Sequence, residues 1–395
     1  MSDYPQPPPD FTAVRADFPR AAEKLWLAAA EVHPYTTHHL NAIQRYSTYR
    51  TYRTDKQKAD FTPAMQQETK ENFARLINAV SADEIAFVQS TTDGENIILA
   101  GLDIVRKGGN IVIDDLHFEA SKYIYTMLAE KEDIELRIVP HRDWQSNVAD
   151  FEQVIDHETR LVSLALISQI NGFMPDIKAI SDIAHAHGAY LYCDIIQGAG
   201  ATPIDVQAMG IDLCACSTYK WLMGEFGLGF LYVRADLQEA VVKQTRYGLR
   251  QVKAMTDYDF EQHPGAARYE GTSSMPYLPG VLVHAGLNYL HSLGVNNIRA
   301  HVQPLTDYLQ ETLPALGYQP ITPINTPTPI VSFLLSDRAE TEAKLNRAFD
   351  HQVLSFREWY QTDANGERQK VDGIRIGVSV YNNQEDVERL VAALK

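Results

Sequence analysis

The sequence is poor in cysteine. Its three cysteines, Cys193, Cys214 and Cys216, all lie in apolar stretches. Disulfide frameworks belong to small, cysteine-dense chains of oxidising compartments, so we interpret these three as small core residues that stay reduced. The histidine-rich segment 33–39 has no accompanying cysteine and no well-spaced carboxylate, and therefore no metal site is predicted.

Basic residues are outnumbered and long apolar runs are missing. The chain has 35 Lys and Arg residues against 51 Asp and Glu, a net charge of −16, whereas a nucleic-acid-binding protein would show a basic face. No apolar run reaches the about 18 residues of a membrane-spanning helix. The first residues, MSDYPQPPPD, lack the basic-then-apolar order of a secretory signal. We therefore expect no nucleic-acid partner, no membrane partner and a cytoplasmic location.

The sequence does contain one acid and one lysine, each placed after an apolar run. The run 190–193 ends on Asp194, and the run 211–216 leads to Lys220. An aldehyde cofactor needs an amine to form a Schiff base, and its pyridine nitrogen needs an acid to stay protonated. Taken singly, Asp194 is also typical of a turn or cap, and Lys220 of a solvated surface charge.

Apolar runs alternate with helical patterns from Glu84 to Val233. This alternation predicts parallel strands joined by crossover helices, which is an α/β fold. Ligands of such sheets bind outside the carboxyl ends of the strands. Each candidate site residue found in this region follows an apolar run, at that predicted edge: Thr92, Phe118, Gln169, Asp194 and Lys220.

One helix start is predicted beside a strand. Thr92 and Glu95 have the spacing of a capping box, opening a helix that runs to about Val105. A helix N-terminus with free N–H groups and adjacent hydroxyls is also suited to a phosphate. The two interpretations are compatible.

Several short motifs together resemble the cofactor-binding region of class V aminotransferases. They are D-x-x-Q at 194–197, S-x-Y-K-W at 217–221 and G-x-G at 227–229. That family includes cysteine desulfurases, kynureninases and isopenicillin N epimerase. The resemblance covers roughly residues 17–395 and implies pyridoxal 5'-phosphate (PLP) as cofactor. It also implies the PLP-dependent transferase fold type I: a large domain with a mostly parallel central sheet, plus a smaller C-terminal α+β domain.

The resemblance implies a role for each cofactor-binding candidate. Lys220 would form the Schiff base and then act as general acid and base, while Asp194 would pair with the ring nitrogen. The other implied cofactor contacts are Thr91, Thr92 and Ser217 at the phosphate, Phe118 stacked on the ring, Gln169 at the phenolate oxygen, and Gln197 of the D-x-x-Q motif.

Two of these assignments have an alternative. Desulfurases place a histidine where this chain has Phe118, so His117 is the alternative stacking residue, and a stacked histidine could also move protons. Asn171 is the alternative to Gln169 if the turn is shifted, although an Asn-Gly turn explains Asn171 without any further role.

Substrate and subunit contacts are implied in the same way. Arg375 belongs to an element with the family's Arg-to-Tyr spacing and would pair bidentately with the substrate carboxylate. A small-residue turn containing Ala29 would border the pocket. Thr272 belongs to an E-G-T element that lacks the family's spacer residue; it would reach the neighbouring subunit's phosphate, which implies a homodimer with shared active sites.

The chain divides into three predicted regions. Residues 1–16 form a Pro-rich arm, residues 17–265 the large PLP-binding domain, and residues 266–395 the small domain. In an alternative arrangement, the N-terminal part of the large domain packs on the small domain. Three regions are interpreted as rim loops that determine the substrate: the one near Tyr35 and the segments 246–263 and 357–361.

The reaction is less specified than the cofactor. Desulfurases use a mobile cysteine in the C-terminal third to accept sulfur, and this sequence has no cysteine after Cys216. We therefore predict a lyase for a small L-α-amino acid, by C–S or Cβ–Cγ cleavage, without a persulfide cysteine. The alternatives are an amino-acid epimerase, an aminotransferase and, more remotely, a non-catalytic PLP- or ligand-binding domain.

Overall fold

The computed structural model describes residues 9–53, 61–362 and 367–395. Residues 1–8 of the predicted arm lie outside them. Within the described residues, no helix has the length and apolar composition needed to cross a membrane. The α-helices are α1 (Phe11–Ala16), α2 (Pro19–Glu23), α3 (Thr37–Tyr52), α4 (Pro63–Leu76), α5 (Thr91–Leu102), α6 (Ile104–Lys107), α7 (Glu119–Lys131), α8 (Val148–Val154), α9 (Ile177–Ala186), α10 (Tyr277–Leu293), α11 (Val295–Thr312), α12 (Arg338–Ala348) and α13 (Gln384–Leu394).

The strands form three sheets. They are β1 (Ile85–Val88), β2 (Asn110–Asp114), β3 (Glu135–Val139), β4 (Thr159–Ala165), β5 (Tyr190–Asp194), β6 (Leu213–Ser217), β7 (Gly229–Val233), β8 (Val252–Thr256), β9 (Asp259–Gln262), β10 (Gln319–Pro320), β11 (Ile330–Leu334), β12 (Ser355–Thr362) and β13 (Arg368–Gly377). The large sheet has the order β1-β7-β6-β5-β4-β2-β3, the small sheet the order β10-β11-β13-β12, and β8 pairs with β9.

The large sheet is mostly parallel, as predicted. Strands β3, β2, β4, β5 and β6 pair in parallel in that order. Strand β7 differs, because it runs antiparallel to both β6 and β1. Only residues 218–228 connect β6 to β7, which is too short for the crossover of a dozen or more residues that a parallel pair requires. This short connection carries the lysine.

The large sheet is buried on both faces except at its edge strand β3. Strands β1, β2, β6 and β7 are buried at every position, which is typical of a sheet covered by helices on two sides. Helix α5 approaches β6 closely, because a Cβ at Gly94 would lie 2.8 Å from the Ala215 Cβ. The absence of a side chain at Gly94 thus lets the N-terminus of α5 sit beside the end of β6.

The N-terminal segment contacts the C-terminal elements. Arg15 on α1 pairs with Asp386 on α13 at 2.6 Å, and the rings of Phe18 and Tyr381 are 5.0 Å apart. The backbone of Ala28 forms an isolated bridge with Gly377. The exact domain boundaries at residues 16 and 265 stay predictions.

Three local expectations were wrong. Ser90, not Thr92, caps α5, because its side chain accepts from the Asp93 N–H. This helix ends at Leu102 and does not run on to Val105. Segment 246–263 contains the β8–β9 hairpin, whose turn holds Asp257 in the left-handed region at φ 55°. Segment 357–361 lies within β12, which pairs with β13. Charged residues in both segments obscured the strand pattern.

Candidate active site

Lys220 lies in the tight connection between β6 and β7. The Thr218 hydroxyl donates to the carbonyls of Glu225 and Leu228 at 2.7 and 3.1 Å, and the Gly224 N–H donates to the Thr218 carbonyl at 2.7 Å. A Cβ at Gly224 would lie 2.6 Å from Thr218 atoms, so this closure needs a glycine. The connection holds Lys220 at the carboxyl end of β6, buried to 8% exposure.

Asp194 is the last residue of β5, the strand next to β6. It is 3% exposed, and one of its carboxylate oxygens accepts from the Ile196 N–H at 2.9 Å. Its backbone carbonyl accepts from the Leu166 N–H, which fixes the strand end. The acid and the lysine therefore occupy neighbouring strand ends at one sheet edge, as the sequence predicted.

Both side chains line one cavity of about 350 Å³. Its walls come from the loops that follow β1, β2, β4, β5 and β6. The residues that line it are Ser90, Thr91, Thr92, Phe118, Ala120, Ala165, Ile167, Gln169, Asp194, Ile196, Gln197, Ser217, Tyr219, Lys220 and Phe226.

Burial perturbs both charged groups of the cavity. Desolvation, followed by the charge of Arg375, lowers the pKa of the Lys220 amine to about 8. Desolvation also raises the pKa of the Asp194 carboxyl to about 6, although the Ile196 N–H and Lys220 counteract it. Oppositely perturbed groups in one cleft are typical of a catalytic site. A lowered pKa gives Lys220 more of the neutral form that attacks an aldehyde.

The N-terminus of α5 faces this cavity with hydroxyl groups around it. The Thr91 N–H donates to the Ser217 hydroxyl at 2.8 Å, and the Ser217 N–H donates to the Thr91 hydroxyl at 2.9 Å. Thr92 follows in the first turn and also lines the cavity. The helix dipole and the hydroxyls around this helix end together make an anion site.

Phe118 and His117 point in different directions. Phe118 precedes α7 and lines the cavity. His117 is fully buried, with its Nε2 2.9 Å from the Ser163 hydroxyl. Its Nδ1 accepts from the Phe118 N–H at 2.7 Å. Of these two residues it is therefore Phe118 whose side chain lies on the cavity wall, while His117 accepts a hydrogen bond from the Phe118 backbone.

Gln169 lies between the cavity and Arg375. Its backbone and side-chain oxygens accept from the Arg375 Nη1 at 3.0 and 3.4 Å, and its amide nitrogen donates to the Glu119 carboxylate. Arg375, on β13, is only 2% exposed. The guanidinium is thus held against Gln169, which lines the cavity.

Gln197 joins three segments that surround the site. Its side-chain oxygen accepts from the Trp221 indole N–H at 2.9 Å, and its amide nitrogen donates to the Ala30 carbonyl at 3.2 Å. The loop after Asp194, the lysine connection and the N-terminal turn are thereby held together.

The structure does not bring Asn171 or Ala29 into the cavity. The Asn171 amide donates to the carbonyls of Trp144 and Ile321, and its oxygen accepts from the Phe173 N–H. Its polar atoms are used within the fold and it does not line the cavity, so the geometry supports Asn171 neither as the alternative to Gln169 nor as a candidate substrate contact. Ala29 is fully buried and does not line the cavity. The next residue of the same turn, Ala30, is connected to the cavity wall because its carbonyl accepts from the Gln197 amide.

Thr272 lies in a different cavity, of about 390 Å³, together with Gln89, Asp93 and Arg246. Its hydroxyl donates to the Ser274 carbonyl at 3.4 Å. Its predicted role was toward the partner's phosphate, and that role stays a prediction.

Sequence reasoning missed Glu31 and the position of Arg357. The Arg357 guanidinium donates to the Glu31 carboxylate at 2.6 Å, beside Arg375. This contact could not be recognised in the sequence, because Glu31 and Arg357 are 326 positions apart and share no local motif. For the residues that the structure describes, no group of three or more His, Cys, Asp or Glu side chains could hold a metal ion.

A buried amine and a buried acid at the edge of a mostly parallel sheet, with a helix N-terminus and an aromatic ring beside them, define a PLP site of the fold type I class. Comparison with protein families agrees: the aminotransferase class-V model matches residues 32–390. The chain belongs to the class-V aminotransferase family, and it is a PLP-dependent enzyme.

The chain is similar to several characterised proteins. It is 29% identical over 354 residues to the cysteine desulfurase of Pectobacterium atrosepticum, covering 85% of this chain and 83% of that one. The apo structure of a cysteine desulfurase from Thermococcus onnurineus NA1 superposes with a TM-score of 0.82 at 21% identity, covering 98% and 97%. The cystine C–S lyase C-DES, solved with cysteine persulfide, gives a TM-score of 0.80 at 20% identity, covering 95% and 98%. At these identities the two structures establish the shared fold.

Proposed function

We propose that the protein is a carbon–sulfur lyase. It acts on an L-α-amino acid with sulfur on the β-carbon and releases that sulfur together with the bonding electron pair. The proposal is supported by the similarity to cysteine desulfurases and to a cystine C–S lyase. One observation supports the release of sulfur over its transfer to the protein: Cys193, Cys214 and Cys216 are all buried.

Sulfur transfer onto the protein requires a reachable thiolate. All three cysteines of the sequence are fully buried in strands β5 and β6. Burial raises the pKa of each thiol well above its usual value. A buried thiol with a raised pKa is a poor nucleophile. Release of sulfur as an anionic leaving group needs no protein thiol: besides the electron sink of the cofactor it requires a base and an acid, and so it is the chemistry that these residues support.

Bound PLP supplies an electron sink that makes the substrate's Cα proton acidic. Asp194 would keep a proton at the pyridine nitrogen of the cofactor. The hydroxyls of Thr91, Thr92 and Ser217, with the N-terminus of α5, would bind its phosphate. Phe118 would contact its ring.

Lys220 and Arg375 act on the substrate. Arg375 pairs with the α-carboxylate and orients the molecule. The Lys220 amine, whose pKa burial lowers to about 8, takes the Cα proton in its neutral form. The Cβ–S bond then breaks, its electron pair leaves with sulfur, and the remaining three-carbon fragment hydrolyses to pyruvate and ammonium.

The test is product analysis with the purified, PLP-loaded protein. L-Cystine and L-cysteine are supplied, and pyruvate, alanine and protein-bound sulfane sulfur are measured. We expect one pyruvate for each sulfide released from L-cysteine or persulfide released from L-cystine, and retained activity in Cys216→Ser. Alanine formed together with persulfide on the protein would instead identify a desulfurase, and inversion at Cα alone would identify an epimerase.

The active sites are proposed to be shared within a homodimer. The β8–β9 hairpin and the segment before it expose large apolar side chains, among them Tyr247, Met255, Tyr258 and Phe260. A second copy would cover them and could place Thr272 at the neighbouring phosphate. Mixing Lys220→Ala with Thr272→Val subunits tests this: an exchanged dimer would regain one intact site, whereas unchanged inactivity after exchange would refute it.

A further inference from the structure

Glu95 is a buried acid on α5, the helix whose N-terminus faces the Lys220 cavity. The Tyr125 hydroxyl donates to its Oε1 at 2.7 Å, and the Ser121 hydroxyl donates to its Oε2 at 2.9 Å. All three side chains are at most 2% exposed. Glu95 thus belongs to a closed polar cluster between α5 and α7, and the proposed reaction does not use it.

The hydrogen bonds that lead to Tyr125 have a fixed direction. The Phe118 N–H can only donate, so the His117 Nδ1 that accepts from it at 2.7 Å carries no proton. Burial lowers the pKa of His117 to about 3, so the ring is neutral and its Nε2 donates to the Ser163 hydroxyl at 2.9 Å. Ser163 in turn interacts with the Tyr125 hydroxyl. Tyr125 donates its own proton to Glu95, whose Oε1 is therefore an acceptor in both protonation states.

The proton of a neutral Glu95 consequently belongs on Oε2. The group that faces Oε2 is the Ser121 hydroxyl. A hydroxyl both donates and accepts, so Ser121 can accept from the neutral carboxyl and donate to the ionised one after a rotation of its own O–H. The cluster therefore satisfies the hydrogen bonds of Glu95 with or without its proton.

Glu95 faces the side of β5 on which Asp194 lies. Side chains alternate along a strand, so Tyr192 and Asp194 project from the same face, and Tyr192 packs in one core cluster with Ile97 of α5. Burial, followed by the charge of Glu95, raises the pKa of the Tyr192 phenol well above its usual value. Burial, with a smaller contribution from the charge of Asp194, raises the pKa of Glu95 to about 7. Glu95 and Asp194 are thus two buried carboxyls that act on each other.

The other groups around Glu95 are uncharged. His117 is neutral, and the phenols of Tyr125 and Tyr192 stay protonated because burial raises the pKa of each. From β6 and β7, the side chains in the core cluster shared with α5 are apolar: Leu213, Ala215, Leu231 and Val233.

Two cations of the surrounding elements have other partners. Lys122, next to Ser121 on α7, donates to the Asp115 carbonyl at 3.3 Å. The Lys220 amine acts on Asp194, where it counteracts the effect of burial. Like charges disfavour each other's ionisation, so one of the two carboxyls retains a proton while the cofactor is absent.

We propose that Glu95 is a second acid for the ring nitrogen of PLP, which keeps a proton on its Oε2 in the PLP-free protein and releases it to the solvent when the positively charged ring binds at Asp194. The new positive charge offsets the repulsion between the two carboxylates. With both ionised, the ring nitrogen holds its own proton to a higher pH, and the electron sink is preserved. The inference requires PLP as cofactor and is independent of the reaction that follows.

Counting protons tests the assignment. The heat of PLP binding to the PLP-free protein, measured by calorimetry in buffers of different ionisation enthalpy, gives the net number of protons released. At pH 6 we expect the wild type to release about 0.5–1 proton more than Glu95→Gln, and at pH 8.5, where Glu95 is already ionised, no more. Protons lost by the cofactor phosphate and by Lys220 cancel in this difference.

Two further variants separate this role from a structural one. Ser121→Ala keeps Glu95 but removes a donor that lowers its pKa, so the extra release should extend to higher pH. Asp114→Asn is the matched control: Asp114 is 3% exposed, burial raises its pKa to about 7, its carboxylate accepts from the Ser146 hydroxyl at 3.0 Å, and it does not line the cavity. Its proton release should equal that of the wild type.

Equal release from the wild type and Glu95→Gln at pH 6 would overturn the inference. So would a loss of release in Asp114→Asn as large as in Glu95→Gln, since PLP binding would then affect buried carboxyls in general. If Glu95→Gln does not fold, the comparison of Ser121→Ala with the wild type decides alone, and an unchanged pH profile would refute the role of Glu95.

Discussion

Thr91 and Ser217 are hydrogen-bonded to each other reciprocally, backbone N–H to side-chain hydroxyl in both directions, at 2.8 and 2.9 Å. The pair joins the first residue of α5 to the last residue of β6. The anion site and the lysine are therefore parts of one rigid unit, because Lys220 follows Ser217 by only three residues.

Breaking this pair should weaken cofactor binding. Ser217→Ala removes a phosphate-facing hydroxyl and leaves the buried Thr91 N–H without its acceptor. We expect PLP to bind about tenfold more weakly, in line with the loss of one or two hydrogen bonds. Titration of the PLP-free protein, followed by absorbance, measures the dissociation constant.

Ser181→Ala is the matched control for that substitution. Ser181 is equally buried, and its hydroxyl donates to the Gly210 carbonyl at 2.8 Å, far from the cavity. Its PLP affinity should equal that of the wild type. An unchanged affinity in Ser217→Ala would show that the hydroxyl does not contact the phosphate.

The Lys220 amine should titrate well below an ordinary lysine. Burial, then the charge of Arg375, lowers its pKa from 10.5 to about 8. In the PLP-free protein, the rate of PLP capture should rise with pH and reach half its maximum near pH 8, because only the neutral amine attacks the aldehyde. Stopped-flow absorbance measures this rate.

Arg375→Leu should move that midpoint upward. Removing a nearby cation makes the protonated amine less unfavourable, so the pKa of Lys220 rises. Arg368→Leu, a distant exposed arginine on the same strand, should leave the midpoint unchanged. A midpoint near pH 10 in the wild type would mean that the amine is solvated and not buried.

The strand-end residues could be predicted because each follows a continuous apolar run. Asp194 and Lys220 end such runs, and the parallel sheet brings the runs to one edge. Glu31 and Arg357 could not be predicted in this way, since their contact joins the N-terminal turn to β12 across the fold. The hydrogen bonds of Asn171 could not be predicted for a similar reason: their acceptors, the carbonyls of Trp144 and Ile321, are distant in sequence.

Substitutions at Phe118 and His117 should affect different properties: the first should weaken PLP binding, and the second should lower the free energy of unfolding. Phe118→Ala removes the ring on the cavity wall, so PLP affinity should fall about tenfold while the free energy of unfolding of the PLP-free protein changes little. Phe118→Tyr keeps the ring and should retain binding. The affinity is measured by absorbance titration.

His117→Ala should instead destabilise the fold. It leaves the Phe118 N–H without its acceptor and removes one partner of the buried Ser163 hydroxyl, which costs about 1–3 kcal/mol. Urea denaturation of the PLP-free protein measures this loss. Cofactor binding that depended on His117 as strongly as on Phe118 would argue for histidine stacking.

Glu95 makes the stability of the protein depend on pH. It is 2% exposed on α5 and accepts from the hydroxyls of Ser121 and Tyr125, on α7, at 2.9 and 2.7 Å. Burial, with a smaller contribution from the charge of Asp194, raises its pKa from 4.5 to about 7, although these two donors counteract the rise. The folded protein therefore binds a proton between pH 4.5 and 7 that the unfolded chain has released.

This difference fixes the sign of the effect. The contribution of Glu95 to stability is fully present below pH 4.5 and is lost as the pH rises to about 7, with a total of about 3 kcal/mol. Glu95→Gln cannot ionise, so its free energy of unfolding relative to the wild type should increase from pH 5 to pH 8. Urea denaturation of both PLP-free proteins at the two pH values measures it. A constant difference would mean that Tyr125 and Ser121 stabilise the carboxylate enough to cancel the cost of burial, and that the cross-link between α5 and α7 is ionised at all of these pH values.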